Sequence, residues 1–358
     1  MQLTKYKLGD LIAQRREKNK DYDLPIRGVS REGFIKPKVE EADTSIYNVF
    51  YKNDFVFNPA RMELNSIALN LDLDKALCSS LYEVFYVKDE YLVLPEFLNL
   101  HIKRDEFARH CDYIGLGSAR EYCRFANIAE FDIKIPPIEV QREIVQADRQ
   151  IKRRIRLNEQ MIEKLEATAQ ALYRKMFVDN IDKENLPEGW RMGTIGEFCD
   201  IITGKKDVNE SLEQGKYRFF SCSPDYFYSN EYIAKGPAAL IAGNGSYTGR
   251  VTYYDKEFDL YQRTYACIPH EENKELIPFL YCVLKYQFEP TFMGGSRGSS
   301  IPYIVRGDIA DFEFVYKKET CLSFSDNIGK ILLHIQIMEQ ENSKLTELQS
   351  LLLAKMGH

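Results

Sequence analysis

The chain has 358 residues, 44% of them hydrophobic and 28% charged, with a formal net charge of −6. This composition excludes wholesale disorder, and the charge excludes a protein that coats nucleic acid by bulk attraction, though not one with local basic patches. No apolar run reaches the roughly 20 residues a membrane-spanning helix needs. The opening Met1-Gln2-Leu3-Thr4-Lys5 lacks a signal peptide's layout, so a cytoplasmic protein is expected.

In chain order, the first recognisable segment is Tyr6-Lys7-Leu8-Gly9-Asp10-Leu11. Phe55-Val56-Phe57 and Tyr82–Val87 are β-branched and aromatic, and read as strands; a helix is predicted over 94–103. Asn127–Ile133 leads to Pro136-Pro137, which ends a strand and opens a helix, since proline fits a first helical turn but not an interior. From there to Phe177 neither Gly nor Pro intervenes. Ile144, Ile151, Asn158, Leu165 and Leu172 recur every seven residues, and Ile155, Ile162, Ala169 and Met176 form a second row. This is a heptad seam for a partner helix, on a rod of roughly 60 Å.

The polar stretch 180–189, ending Leu186-Pro187-Glu188-Gly189, reads as a linker. Beyond it the pattern returns. Gly193–Phe198 answers 6–11, Ile277-Pro278-Phe279-Leu280 answers Pro95-Glu96-Phe97-Leu98, and Asp308–Phe314 answers Asn127–Ile133. Gly117-Ser118 and Gly298-Ser299 precede the last pair. Strands are predicted at Ala239–Ala242 and Gly249–Tyr254, turns at Asn244-Gly245-Ser246 and Gly294-Gly295-Ser296, and a helix over 276–288. A second heptad seam follows, with Ile331, Met338, Leu345 and Leu352 in one row and Ile328, Ile335, Asn342 and Met356 in the other. Shared order at a near-constant offset marks an internal duplication. The expected fold is mixed α/β (α+β): two similar domains separated by two long antiparallel coiled-coil helices, with a pseudo-two-fold repeat. The predicted segments are domain 1–137, helix 138–179, linker 180–189, domain 190–320 and helix 321–358.

Catalytic motifs are missing. Asn58-Pro59-Ala60-Arg61 lacks the second proline and the aromatic ring that hold a flipped adenine. Thr203-Gly204-Lys205-Lys206 lacks the glycine and the Ser/Thr of a phosphate loop. The eight cysteines contain no Cys-x-x-Cys pair, so reduced, mostly buried thiols and no metal site are expected.

Phe131–Val145, with its two prolines and its Glu-x-Gln helix start, resembles the junction between recognition domain and spacer helix in type I restriction–modification specificity subunits. Leu186–Arg191 with Ile195–Phe198, and Ala239–Ser246 with Gly249-Arg250, are similar to that family's second domain. The second junction, Phe314–Thr320, lacks both prolines and the Glu-x-Gln. The resemblance implies a non-catalytic subunit whose two target-recognition domains each read half of a split, asymmetric double-stranded DNA target. It implies helices that fix the gap and dock two methyltransferase subunits, which bind S-adenosylmethionine; this chain itself binds no cofactor. A motor-nuclease restriction subunit joins in such systems. A type IIB-like subunit and a coiled-coil scaffold with protein-binding arms are the alternatives.

Base edges are read by Arg, Lys, Asn, Gln and Ser tips, and phosphates by cations and glycine-rich turns. On that chemistry the candidates are Arg27, Arg31, Arg61 and Arg120 in the first domain. In the second they are Lys205, Lys206, Asn244, Ser246, Tyr247, Arg250, Arg297, Ser299 and Ser300. A basic band, Arg149, Lys152, Arg153, Arg154 and Arg156, is a solvated face, a DNA backbone contact or a dock for an acidic partner. Asn158 and Asn342 are expected to face each other as a polar layer that sets helix register, placing Leu165 by Ile335 and Ile162 by Met338.

Overall fold

A computed structural model describes residues 3–20, 23–37, 43–115, 122–179, 181–292 and 303–356. The chain forms two compact units, Met1–Arg156 with Asn342–His358, and Leu157–Glu341.

In the first unit, strand Thr4–Lys7 pairs antiparallel with Asp132–Ile135, joining the start of the domain to its end. The Leu8 N–H donates to the Phe131 carbonyl at 2.8 Å. A four-stranded antiparallel sheet runs in the order Ile12–Arg15, Glu83–Val87, Phe55–Phe57, Ile67–Leu69. Phe55, Val56 and Phe57 are all buried because both faces of this sheet are covered. Side chains alternate along a strand. Phe55, Phe57 and Phe85 therefore join the cluster of Phe97, Leu98 and Phe107 from the helices Pro95–Ile102 and Asp105–Gly115. Val56 and Val84 point the other way, to Phe50 and Ala76 of the strand pair Asn48–Tyr51 and Lys75–Cys78.

The second unit repeats this plan. Arg191–Thr194 pairs with Glu313–Tyr316, and the Ile195 N–H donates to the Phe312 carbonyl at 3.2 Å. The sheet order is Cys199–Thr203, Thr264–Pro269, Ala238–Ala242, Val251–Tyr254, with a second sheet built on Tyr217–Phe220 and Glu257–Leu260. Ala239 and Ile241 face the helical cluster with Phe279 and Leu280, while Ala238 and Leu240 face Phe258 and Leu260. One close approach is shared. A Cβ on Gly9 would lie 3.0 Å from the Ala129 Cβ, and a Cβ on Gly196 would lie 3.3 Å from the Ala310 Cβ. The duplication is thus written in packing as well as in sequence.

The long helices run Ile138–Phe177 and Lys318–Lys355. The second starts cleanly at Lys318 without the two prolines. Within each unit they pair antiparallel. In the first unit Gln349 Nε2 donates to Asp148 Oδ1 at 2.7 Å, and Met356 shares a core with Val145. In the second, Asn158 Nδ2 donates to Glu341 Oε2 at 2.9 Å, and Tyr173 and Phe177 pack with Phe324.

The heptad expectation fails at one end. Leu172 is 38% exposed, whereas Tyr173 is fully buried. An α-helix of 3.6 residues per turn drifts off a strict seven-residue repeat unless it supercoils. Here the C-terminal turns follow the globular core instead: Tyr173 stacks with Phe177 at 5.5 Å and accepts from Gln287 Nε2 at 2.5 Å.

All eight cysteines are free, and seven are buried. No helix of the described residues is long and apolar enough to cross a membrane.

Candidate nucleic-acid interface

The first unit carries a cleft of about 690 Å³ beside its main sheet. Among the described residues it is lined by seven cations, Arg15, Arg16, Lys18, Arg27, Lys36, Arg61 and Arg124, against one carboxylate, Glu83. Six of the seven cations come from three places, and Arg124 caps the short helix Phe125–Ala129. Arg15, Arg16 and Lys18 lie on and beyond the end of strand Ile12–Arg15. Arg27 and Lys36 flank the hairpin Gly28–Ser30/Gly33–Ile35. Arg61 sits in the short 3-10 segment Pro59–Leu64.

Several are held in place. Arg15 donates to both oxygens of Asp54, at 2.6 and 3.0 Å, and lies between the rings of Tyr51 and Tyr86. Burial pushes the Asp54 carboxyl up in spite of that arginine. Glu83 accepts from Arg124 Nη1 at 3.1 Å, from Gln14 Nε2 at 3.1 Å and from the Phe125 N–H at 2.8 Å, so the single acid orients one of the cleft's arginines. Arg27 Nη1 donates to the Ile26 carbonyl at 2.9 Å. Arg61 is exposed and has no side-chain partner among the described residues. Asn58 accepts from the Ala60 N–H at 3.1 Å, so Asn58-Pro59-Ala60-Arg61 is a capped turn that presents Arg61.

Arg31 lies outside this lining. Its carbonyl accepts from Lys103 Nζ at 2.9 Å. Burial first, then the like charges of Arg31 and Lys152, pushes the Lys103 ammonium below its usual value. The basic band on the first long helix is partly compensated: Arg149 pairs with Glu96 at 2.5 Å and Lys152 with Asp148 at 2.8 Å. Arg153 and Arg156 are exposed. Arg120 lies outside the described residues.

In the second unit Lys205 is exposed. The Lys206 ammonium is engaged by Asp259 at 2.7 Å, Glu231 at 3.1 Å and Ser229 at 3.2 Å, and the two carboxylates, Asp259 first, raise its pKa. Gly204 precedes it because the Leu260 carbonyl occupies the space a Cβ would need. Asn244, Ser246, Tyr247 and Arg250 come together in one turn. Gly245 and Gly249 take φ of +84° and +91° there, the left-handed region glycine permits. Thr248 Oγ1 closes the turn on the Gly245 carbonyl at 2.7 Å. Ser246 and Tyr247 are exposed at its tip. Arg250 is turned inward: its Nη atoms donate to the Ser223 and Pro224 carbonyls, and burial lowers its pKa. Asn244 bridges to Tyr303, and Gly249 backs onto Phe292. Arg297, Ser299 and Ser300, between those two residues in sequence, lie outside the described residues.

Sequence reasoning missed Arg15, Arg16, Lys18, Lys36 and Arg124. The run Gln14-Arg15-Arg16-Glu17-Lys18 was the available signal, a basic cluster at a strand end. Among the described residues no His, Cys, Asp or Glu group is arranged to hold a metal ion.

Two copies of one α/β unit, each followed by a long helix and each presenting cationic or glycine-turn surfaces, define a duplicated recognition scaffold. The family profile described as type I restriction modification DNA specificity domain matches residues 3–167 and 187–316, and the chain belongs to that family. It is 38% identical over 126 residues to the EcoDI type I restriction enzyme specificity subunit of Escherichia coli, a match spanning 35% of this chain and 27% of that protein's length. The crystal structure of a type I restriction–modification S subunit from M. genitalium superposes with a TM-score of 0.64 at 19% identity, covering 100% of this chain and 96% of that one. The HsdS subunit from Thermoanaerobacter tengcongensis gives 0.44 at 20% identity, covering 99% and 96%.

Proposed function

We propose that this type I specificity subunit, with no catalytic centre of its own, reads a split, asymmetric double-stranded DNA target, one half with each unit. The observation that carries the reading is the first unit's cleft, with seven cations against one acid in a chain of net charge −6. Phosphates are neutralised by such clusters, and arginine tips reach base edges from them. The two long helices each contribute residues to both units, and their length serves as the ruler between half-sites. They also dock the partners. Leu157 and Met161, and Leu333 and Ile337, are apolar pairs one helical turn apart, each about half exposed. Exposed apolar helix faces of this kind are filled by other chains. Two methyltransferase subunits, which hold S-adenosylmethionine, take those places, and a restriction subunit joins through them.

Co-expression with the methyltransferase partner tests the proposal. The complex should transfer labelled methyl groups only to DNA carrying one bipartite sequence, with two methyltransferase subunits per chain. Methylation indifferent to sequence, or an active one-to-one assembly, would overturn it.

A further inference from the structure

Leu81 is the most exposed aliphatic side chain among the described residues, at 78%. Singly exposed leucines are common and usually carry no meaning. This one differs in where it stands and in how it is held. It occupies the turn Ser79-Ser80-Leu81-Tyr82 between strands Lys75–Cys78 and Glu83–Val87, and it lines the cationic cleft. The turn is rigidly built. The Tyr82 N–H donates to the Ser79 carbonyl at 3.0 Å, and the Leu81 N–H to Ser79 Oγ at 3.3 Å. Asn48 Nδ2 reaches over from the neighbouring strand to the Tyr82 carbonyl at 2.7 Å and the Ser79 carbonyl at 3.5 Å. Both flanking strands are anchored by fully buried residues, Cys78 and Phe85. The turn therefore holds an isobutyl group out into a cleft whose exposed lining includes the cations Arg16, Lys18, Lys36, Arg61 and Arg124 beside Ile35 and Tyr122.

Resting on the reading of this cleft as a DNA site, we propose that Leu81 is a specificity residue that recognises the C5-methyl group of one thymine in the first unit's half-site. Along the edges of base pairs in the major groove every feature is a hydrogen-bond donor or acceptor except the thymine methyl, which is apolar. An aliphatic group fixed among cations finds no other apolar partner on an undistorted duplex. Wedging between bases would be the alternative, and it requires an unstacked step, which an undistorted duplex does not offer.

The experiment uses the complete complex with its methyltransferase subunits and a duplex carrying its own methylated target. Thymines in both half-sites are replaced one at a time by deoxyuridine, which removes only the methyl group. The wild-type complex should bind about three- to tenfold more weakly at one thymine, the effect of one or two lost apolar contacts. Leu81→Ala should show the same loss on the all-thymine duplex and no further loss when that thymine becomes uracil. Leu81→Met should keep most of the wild-type preference. The proposal is overturned if Leu81→Ala binds every duplex as wild type does, or if its loss is equal on thymine and uracil duplexes. It is also overturned if 2-aminopurine beside the site reports unstacking that Leu81→Ala abolishes, the signature of a wedge. A wild-type complex that holds target and scrambled duplexes alike removes the underlying DNA reading itself, and that result is visible before any variant is made.

Discussion

The two units share a scaffold but spend their cations differently. In the first, Arg61 is free of side-chain partners among the described residues, and only one acid lines the cleft. In the second, Lys206 is bound to Asp259 and Glu231, Arg250 to backbone carbonyls, and Arg218 lies over the Tyr226 ring at 3.9 Å. The contacts common to both, Gly9 on Ala129 and Gly196 on Ala310, are backbone-level packing. After a duplication, packing constrains both copies alike because a lost core contact costs stability in either. Exposed tips carry no such constraint and diverge, as the proposed reading of two different half-sites would require.

The largest expected asymmetry is steric. Gly204→Ala drives a methyl group into the Leu260 backbone carbonyl, which cannot rotate away. The second unit should lose about 3 kcal/mol, at the upper end of overpacking costs. Hydrogen exchange at Ala239–Ala242 should accelerate while Phe55–Phe57 stays protected. The first unit has Glu17 at the corresponding strand end, with no such close approach to disturb. Equal acceleration in both units would mean the units do not unfold separately.

Acid should reverse the asymmetry. His101 is 5% exposed, and its pKa is lowered to about 4, by burial first and by Arg104 second. Its counterpart in the second unit is Val283, also buried. A lowered histidine pKa means the unfolded chain binds the proton more tightly. The stability of the first unit is therefore complete above the unfolded value of 6.5 and falls as pH drops toward 4. The loss is up to about 3 kcal/mol. Denaturant melts between pH 7 and pH 4 should show it, and His101→Val should flatten that part of the profile.

On DNA, Arg61→Ala should weaken binding by about 1–3 kcal/mol at one half-site if the arginine meets a base edge. It should instead lower the salt slope by about 1 on all sequences if it meets a phosphate. Lys206→Ala should leave the salt slope unchanged and loosen the second unit, because its charge answers Asp259 rather than solvent. A Lys206 variant that changes the salt slope would erase the contrast between the units.

The smallest effect concerns helix register. Asn158 is buried and donates to Glu341, next to the half-buried Asn342. Asn158→Leu should cost about 1 kcal/mol by removing its hydrogen bond to that carboxylate. In a double-mutant cycle with Glu341→Leu the two losses should not add. We propose that Asn158 and Asn342 together hold the register, so replacing both with Leu should relax the permitted spacing between half-sites, read by methylation of targets with one base pair more or fewer.

The duplication, the helix start at Pro136-Pro137 and the strands around Phe55 and Ala239 were legible in the sequence, because they rest on local periodicity and backbone chemistry. So was the turn at Asn244-Gly245-Ser246, through its glycine, whereas Gly249 and Arg250, read as strand, belong to that turn. Tertiary structure decided which cations remain available. Lys206 and Arg61 are equally basic in the sequence, and only the fold brings Asp259 to one and leaves the other exposed. It also decided where the helix seam turns from Leu172 to Tyr173, since an α-helix follows the core it packs against rather than a strict sevenfold count. Charge pairing and seam drift depend on contacts between residues far apart in the chain, and periodicity along one strand or helix carries no information about them.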